Sequence, residues 1–266
     1  MKILLTAALA LLFALPVQAQ LAPHDDSGMT YGHVHLNVTD IELHKELWAE
    51  HFDGELVSED RLTVLKFPGM LVALSERAPT GGSGGSVMNH LGFKVRDMQA
   101  VLDKWRAAGL EVGNEFIGAE GSPNAFVIAP DDIRIELQED TEQRQDIIGY
   151  HIHFNTPDYV ELLEWYVDIF GLVPYQRGTI TTTANAPGLN LSFGGAAGPL
   201  APTEGRAIDH IGFEVRDLAG YIRKLEARGI TFDTPYREIP AIGLNIAYLT
   251  DPVGTRIELT EGYVDY

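Results

Sequence analysis

The sequence predicts an α+β fold in which four strand–helix–strand units pair into two domains. Three observations carry it. A histidine that opens an alternating apolar strand, with an aspartate seven positions on, occurs four times: His33 to Asp40, His90 to Asp97, His151 to Asp158 and His210 to Asp217. A helix pattern follows each copy and stops at Gly54, Gly109, Gly171 and Gly229, glycine being the residue that commonly ends helices. The halves also repeat at nearly constant shifts: 118 residues from His33 to His151, 120 from His90 to His210, and 122 from Glu136 to Glu258.

Each repeated phrase specifies two faces. Strand side chains alternate, so Val34, Leu36 and Val38 point one way while His33, His35 and Asn37 point the other. The aspartate is a good helix N-cap. The stripes behind it are Leu43, Leu47, Trp48 and Phe52; then Met98, Val101, Leu102 and Trp105; then Leu162, Leu163, Tyr166 and Phe170; and Leu218, Tyr221, Ile222 and Leu225. Several strands complete each unit. Residues 80–86 and 194–204, rich in glycine, read as flexible connectors within each half, and the charged run 139–145 as the boundary between halves. The expected layout is a flexible lead over 20–30, a first domain over 31–139, a linker over 140–148 and a second domain over 149–266.

Residues 1–19 have the form of a secretory signal: Lys2, an apolar run from Ile3 to Leu15, then Pro16 to Ala19 with a small residue at the cleavage point. That run is too short to span a membrane. The expectation is a periplasmic or secreted protein, monomer or homodimer, that does not enter the membrane. With no cysteine there is neither a disulfide framework nor a thiol nucleophile. A formal charge of −19 argues against nucleic acid, which needs a basic footprint.

Units two and four close on related strands, Pro130 to Leu137 and Asp251 to Leu259, each with one glutamate among apolar neighbours. Such a carboxylate is expected to be paired or metal-bound, since an isolated buried charge is costly. Four units with strand-opening histidines and a closing D-P-x-G-x-x-I-E-L strand resemble the vicinal oxygen chelate superfamily. It includes glyoxalase I, type I extradiol dioxygenases, fosfomycin-inactivating transferases and bleomycin-binding proteins. The resemblance spans about residues 31–262, with a further match at Glu164-Trp165-Tyr166 through Phe170-Gly171.

The resemblance implies βαβββ units paired into two cupped eight-stranded mixed sheets, with one divalent-metal site per domain. By it, His33, His90 and Glu136 would ligate in the first domain and His151, His210 and Glu258 in the second, with Fe, Mn, Zn or Mg as candidate ions. The glutamate that glyoxalases use as a fourth ligand is replaced by Ala73 and Ser192, which argues against glyoxalase I. Tyr248, ten residues before Glu258, stands where extradiol dioxygenases keep a tyrosine, with Phe126 as its counterpart. Their acid/base histidine is missing between His153 and His210.

His35 and His153 lie two residues past a proposed ligand and are candidates for a general base, a partner of a ligand or an alternative ligand. Arg134 and Arg256 stand two residues before each glutamate, as anion-recognition residues or as members of structural ion pairs. His24, His44 and His51 read as surface residues without a site. Three functions compete on this basis. The leading one is metal-assisted proton transfer on a small oxygen-chelating substrate, anionic ones included, as in an isomerase or lyase. The others are oxygen-dependent ring cleavage and small-molecule binding without catalysis. A metal-free scaffold is the bland alternative.

Overall fold

The computed structural model of the chain describes residues 21–58 and 62–266. The expected signal segment lies outside the described residues. Unit one comprises β1 (Met29–Val38), α1 (Ile41–Glu46), β2 (Glu55–Ser58), β3 (Thr63–Phe67) and β4 (Met70–Glu76). Unit two comprises β5 (Met88–Val95), α2 (Met98–Ala107), β6 (Glu111–Ile117), β7 (Pro123–Ala129) and β8 (Ile133–Glu139). Unit three comprises β9 (Ile147–Asn155), α3 (Tyr159–Phe170), β10 (Val173–Arg177), β11 (Ile180–Ala186) and β12 (Leu189–Gly194). Unit four comprises β13 (Ile208–Val215), α4 (Leu218–Glu226), β14 (Thr234–Ile239), β15 (Leu244–Thr250) and β16 (Arg256–Glu261).

The local signals act as expected. Asp40, Asp97 and Asp217 accept hydrogen bonds from the backbone N–H three residues on, at 3.0, 2.9 and 2.8 Å. Asp158 makes no such side-chain bond. Gly171 ends α3 in the left-handed region at φ 70°. The first helix departs from its pattern: after Glu46 it continues as a π-helical turn over Leu47–His51. The extra residue per turn shifts the phase, so Leu47, Trp48 and Phe52 are buried while Leu43 is left exposed.

Two eight-stranded mixed sheets result, ordered β14-β15-β16-β13-β1-β4-β3-β2 and β10-β11-β12-β9-β5-β8-β7-β6. Their central pairs, β1 with β13 and β5 with β9, are antiparallel. The sheets therefore unite unit one with unit four, and unit two with unit three. This corrects the expected grouping of units one with two and three with four. Those expected neighbours do meet, but through side chains on the apolar sheet faces. Trp48 and Phe52 of unit one lie 6.0 and 5.2 Å from Phe93 of unit two, and Phe170 of unit three lies 4.8 Å from Phe213 of unit four. One continuous core runs through all four units.

The connectors are built rather than loose. Ala207 N–H donates to Gly81, Thr80 N–H to Gly205 and Val87 N–H to Ala201, while the Arg206 guanidinium donates to the carbonyls of Gly82 and Gly84. The two crossings between sheets thus run side by side. No helix among the described residues is long and apolar enough to cross a membrane.

Candidate metal centres

The strand faces opposite the core form two cups. At the base of the first, the pairing of β1 with β13 sets His33 opposite Gly212 and His35 opposite His210. In the second, β5 and β9 set Gly92 opposite His151 and His90 opposite His153. The glycines have a steric reason. A Cβ at Gly212 would lie 2.0 Å from the His33 ring, and one at Gly92 2.0 Å from the His151 ring. Each therefore makes the cradle into which the neighbouring strand's histidine folds.

His33 Nε2 lies 2.9 Å from Glu258 Oε2, and His210 Nε2 lies 3.1 Å from the same oxygen. In the second cup, His90 and His151 Nε2 stand 2.8 and 3.3 Å from Glu136 Oε2. The expected ligand sets are corrected accordingly: His33 joins His210 and Glu258, and His90 and Glu136 join His151. Equivalent histidines in one register were visible in the sequence. Which central strands would become neighbours was not.

Ring orientation separates ligand candidates from their companions. His33 and His210 are nearly perpendicular, at 87°, as are His90 and His151, at 86°. His35 instead lies over His210 at 25° with centroids 4.5 Å apart, and His153 over His90 at 31° and 4.7 Å. Nitrogens of all three histidines in each cup lie within 4.8 Å of one another. An ion held by an imidazole lies in the ring plane, however, and two stacked, nearly parallel rings do not meet at such a point. His35 and His153 are therefore companions of the ligand pair in this arrangement. His35 Nε2 also bonds Ser75 Oγ at 2.8 Å. Ala73 and Ser192 stand beside these two histidines, at His35 and His153 in register, and supply no carboxylate.

The donor set fits a divalent ion. His33 is fully buried, yet neither ring nitrogen makes a hydrogen bond, because Nε2 is close to Glu258 but not aligned with it. The buried Nδ1 atoms of His151 and His153 are also without hydrogen-bond partners. Burial of this kind is costly without compensation. Two imidazoles and one carboxylate are the set suited to Fe(II) and similar ions with open positions.

The cups differ in their supporting groups. Burial lowers the pKa of His210, but Asp209 and Glu258 outweigh it and leave the ring above its ordinary value. Its Nδ1 is 2.6 Å from Asp209 Oδ1. The counterpart support for His90 is the neutral Asn89 amide oxygen, at 2.9 Å, and burial there wins over the Glu136 bond to lower the pKa. Burial, then the nearby Arg177 charge, pushes His151 down to about 3. Burial opposes ionisation of Glu136 and Glu258, yet their histidine partners hold both well below the usual carboxylate range.

Tyr248 and Phe126 stand directly opposite Glu258 and Glu136. The Tyr248 ring meets His210 edge-on at 5.3 Å, and burial, reinforced by Glu258, raises its pKa far above the usual phenol value. Arg256 is committed to an ion pair: Nη1 lies 3.2 Å from Asp209 Oδ1 while the guanidinium covers Tyr248 at 4.1 Å. Arg134 lies 4.7 Å over Phe126. His44, expected at the surface, is fully buried and bonds Asp131 at 3.2 Å, tying the first helix to the turn before β8.

Above the histidines the walls diverge in polarity. The first cup is apolar, with Val64, Leu71, Ala73, Leu244, Ile246 and Tyr263 in one cluster. Tyr263 lies 4.6 Å from the His33 ring. The second is polar, holding Asn124, Gln138, Thr183, Asn190 and Ser192. Its opposite sheet edges touch where Thr179 N–H donates to Ala119 at 3.1 Å. A cavity of about 600 Å³ opens there between Lys94, Glu120, Tyr150, Asn185 and Asn190. Nothing in the sequence marks the buried Arg177 beside it, because an arginine ending an edge strand carries no motif.

Comparison with known proteins agrees with this architecture. Residues 150–259 match the family model for the Glyoxalase/Bleomycin resistance protein/Dioxygenase superfamily. Glyoxalase I from Zea mays is similar in fold, with a TM-score of 0.71 at 15% identity, covering 89% of this chain and 94% of that one. A glutamate-to-glutamine mutant of that enzyme matches at 0.70 and 14%, with 90% and 95% covered. A protein of Bacillus subtilis subsp. subtilis str. 168 named as a candidate dioxygenase matches at 0.65 and 14%, with 92% and 88% covered. Against curated protein sequences the chain has no match. Residues 150–259 thus match the model of the Glyoxalase/Bleomycin resistance protein/Dioxygenase superfamily, the vicinal oxygen chelate group that the repeated motifs resemble, and the chain as a whole has a two-sheet glyoxalase-like fold.

Proposed function

We propose that the protein is a divalent-metal-dependent enzyme that moves a proton on a small substrate with neighbouring oxygen atoms, acting after export to the periplasm or beyond. The observation that carries this reading is the convergence, twice over, of two perpendicular buried imidazoles on one glutamate oxygen, with a third histidine stacked alongside. His33, His210 and Glu258 would hold the ion in the first cup, and His90, His151 and Glu136 in the second. When bound, such an ion supplies Lewis acidity toward a substrate oxygen.

The chain's own residues supply the rest. Burial lowers the pKa values of His35 and His153 well below the ordinary one, so each ring is neutral and carries a free lone pair before substrate arrives. Asp209 orients His210 and increases its basicity as a ligand. His33, His90, His151 and His210 are at most 4% exposed, so the ligand rings are shielded from bulk water.

Oxygen-dependent ring cleavage is a second reading, favoured by Tyr248 beside Glu258 and His210. Metal-stripped protein titrated with Zn(II) or Mn(II) should take up to two ions per chain, and catechol should cause no oxygen uptake. Oxygen uptake with catechol that needs Fe(II) and is not restored by Zn(II) establishes ring cleavage instead. Failure to bind any of these ions leaves a binding protein.

A further inference from the structure

The most unusual polar group outside the histidine clusters is Arg177. It ends β10, is only 3% exposed, and its Nε and Nη1 have no hydrogen-bond partner. Buried guanidinium donors normally find acceptors, because leaving them unpaired forfeits their hydration without replacement. The nearest carboxylate does not fill the role. Glu120 Oε1 is 3.7 Å from Nε, and Glu120 already accepts from the Tyr150 hydroxyl through one oxygen and from the Gln138 amide through the other. Tyr150 links it to the second cup's histidine layer, its ring centroid lying 5.3 Å from the Arg177 guanidinium and 5.4 Å from the His151 ring.

The surroundings suit an oxygen-rich anion. Tyr150 is flanked by two cations, with Arg177 5.3 Å and Lys94 4.5 Å from its ring. Lys94 Nζ is itself paired with Asp140 at 3.1 Å. Arg177 is therefore the cation here with donors to spare. The cavity of about 600 Å³ that opens at Glu120 and Tyr150 has room for a small organic acid. The first cup, walled by Val64, Leu71, Leu244 and Ile246, offers an acid no such welcome.

We propose that Arg177 is the anion anchor of the second cup. That cup takes a small acid whose 2-hydroxy or 2-oxo acid end chelates the ion and whose second carboxylate docks on the Arg177 guanidinium. The chelating half rests on the metal reading above; the docking half rests on Arg177 alone. An arginine fork fits a carboxylate through paired N–H donors. The two cups then have different ligand preferences despite their matched histidines.

The test compares L-malate, which has the second carboxylate, with L-lactate, which lacks it. Calorimetric titrations are run on the full chain, Zn(II)-loaded and metal-free. Arg177→Gln should weaken malate binding roughly 10- to 100-fold, the range for losing a charge-assisted hydrogen bond, and leave lactate within about twofold. Arg177→Lys, which keeps the charge, should recover part of the loss. Absence of zinc from the wild type sinks the metal reading, while the malate contrast stays readable in the metal-free titration. The anchor is overturned by equal malate affinity in wild type and Arg177→Gln, by an equal loss for lactate, or by no malate binding to the wild type in either form.

Discussion

Replacing Gly212 with alanine adds one methyl group and touches no proposed ligand, yet it should empty the first cup of metal. The new Cβ would fall 2.0 Å from His33 Cε1, 2.2 Å from Nδ1 and 2.8 Å from Nε2. Ordinary contact needs 3.4 Å or more, so the ring must retreat by more than an ångström. It is fully buried between β13 and Tyr263 and can retreat only by turning Nε2 away from Glu258. Overpacking of this kind costs about 1–3 kcal/mol. An unobstructed glycine-to-alanine change in a strand would gain about 0.5–1 kcal/mol, so the clash wins. A displaced ligand should weaken metal binding by at least the roughly 10- to 100-fold typical of losing a ligand's support, about 1.4–2.7 kcal/mol. Chelator competition on the purified variant measures this, with melting of the metal-free form as a second readout. Unchanged affinity at both sites, with an unchanged melting temperature, would refute the cradle argument.

Gly92→Ala should do the same to the second cup through His151 and leave the first intact, as metal counting will show. His153→Gln should lower turnover while metal occupancy stays near wild type, because the ring is stacked on His90 rather than converging with it; loss of an ion would make His153 a ligand. The metal-free protein should lose stability as the pH falls below about 6.5. Native His151 titrates only near 3, so between these values the unfolded chain binds a proton that the native one does not. That difference amounts to about 2 kcal/mol by pH 5. Denaturant midpoints that do not fall between pH 7.5 and 5.0 would contradict it.

The fold was legible because its signals are local. Strand alternation, aspartate caps and terminal glycines act within a few residues, and four repetitions removed the ambiguity of any single one. The faces that carry His33, His90, His151 and His210 followed from strand period alone. What the sequence withheld is long-range. Nothing near His33 distinguishes β5 from β13 as a neighbour, so local signals do not reveal that it faces Glu258. The extra turn residue after Glu46 moved Leu43 to the surface. His44 found Asp131 in another unit, and Arg177 came to lie against Glu120 of another unit. The glycines of His90-Leu91-Gly92 and His210-Ile211-Gly212 were visible from the start, but their purpose depends on a ring from another strand.

The central claim is that each cup takes its ligands from one unit in each half of the chain. Metal counting on double variants tests it most directly. Glu258→Gln with His33→Ala should lose the same single ion that Glu258→Gln loses alone, because both residues serve one cup. Glu258→Gln with His151→Ala should lose both ions, because His151 belongs with Glu136. The reverse pattern, with one ion lost on pairing Glu258 with His151 and two on pairing it with His33, would show that the ligands group within each half and contradict the account.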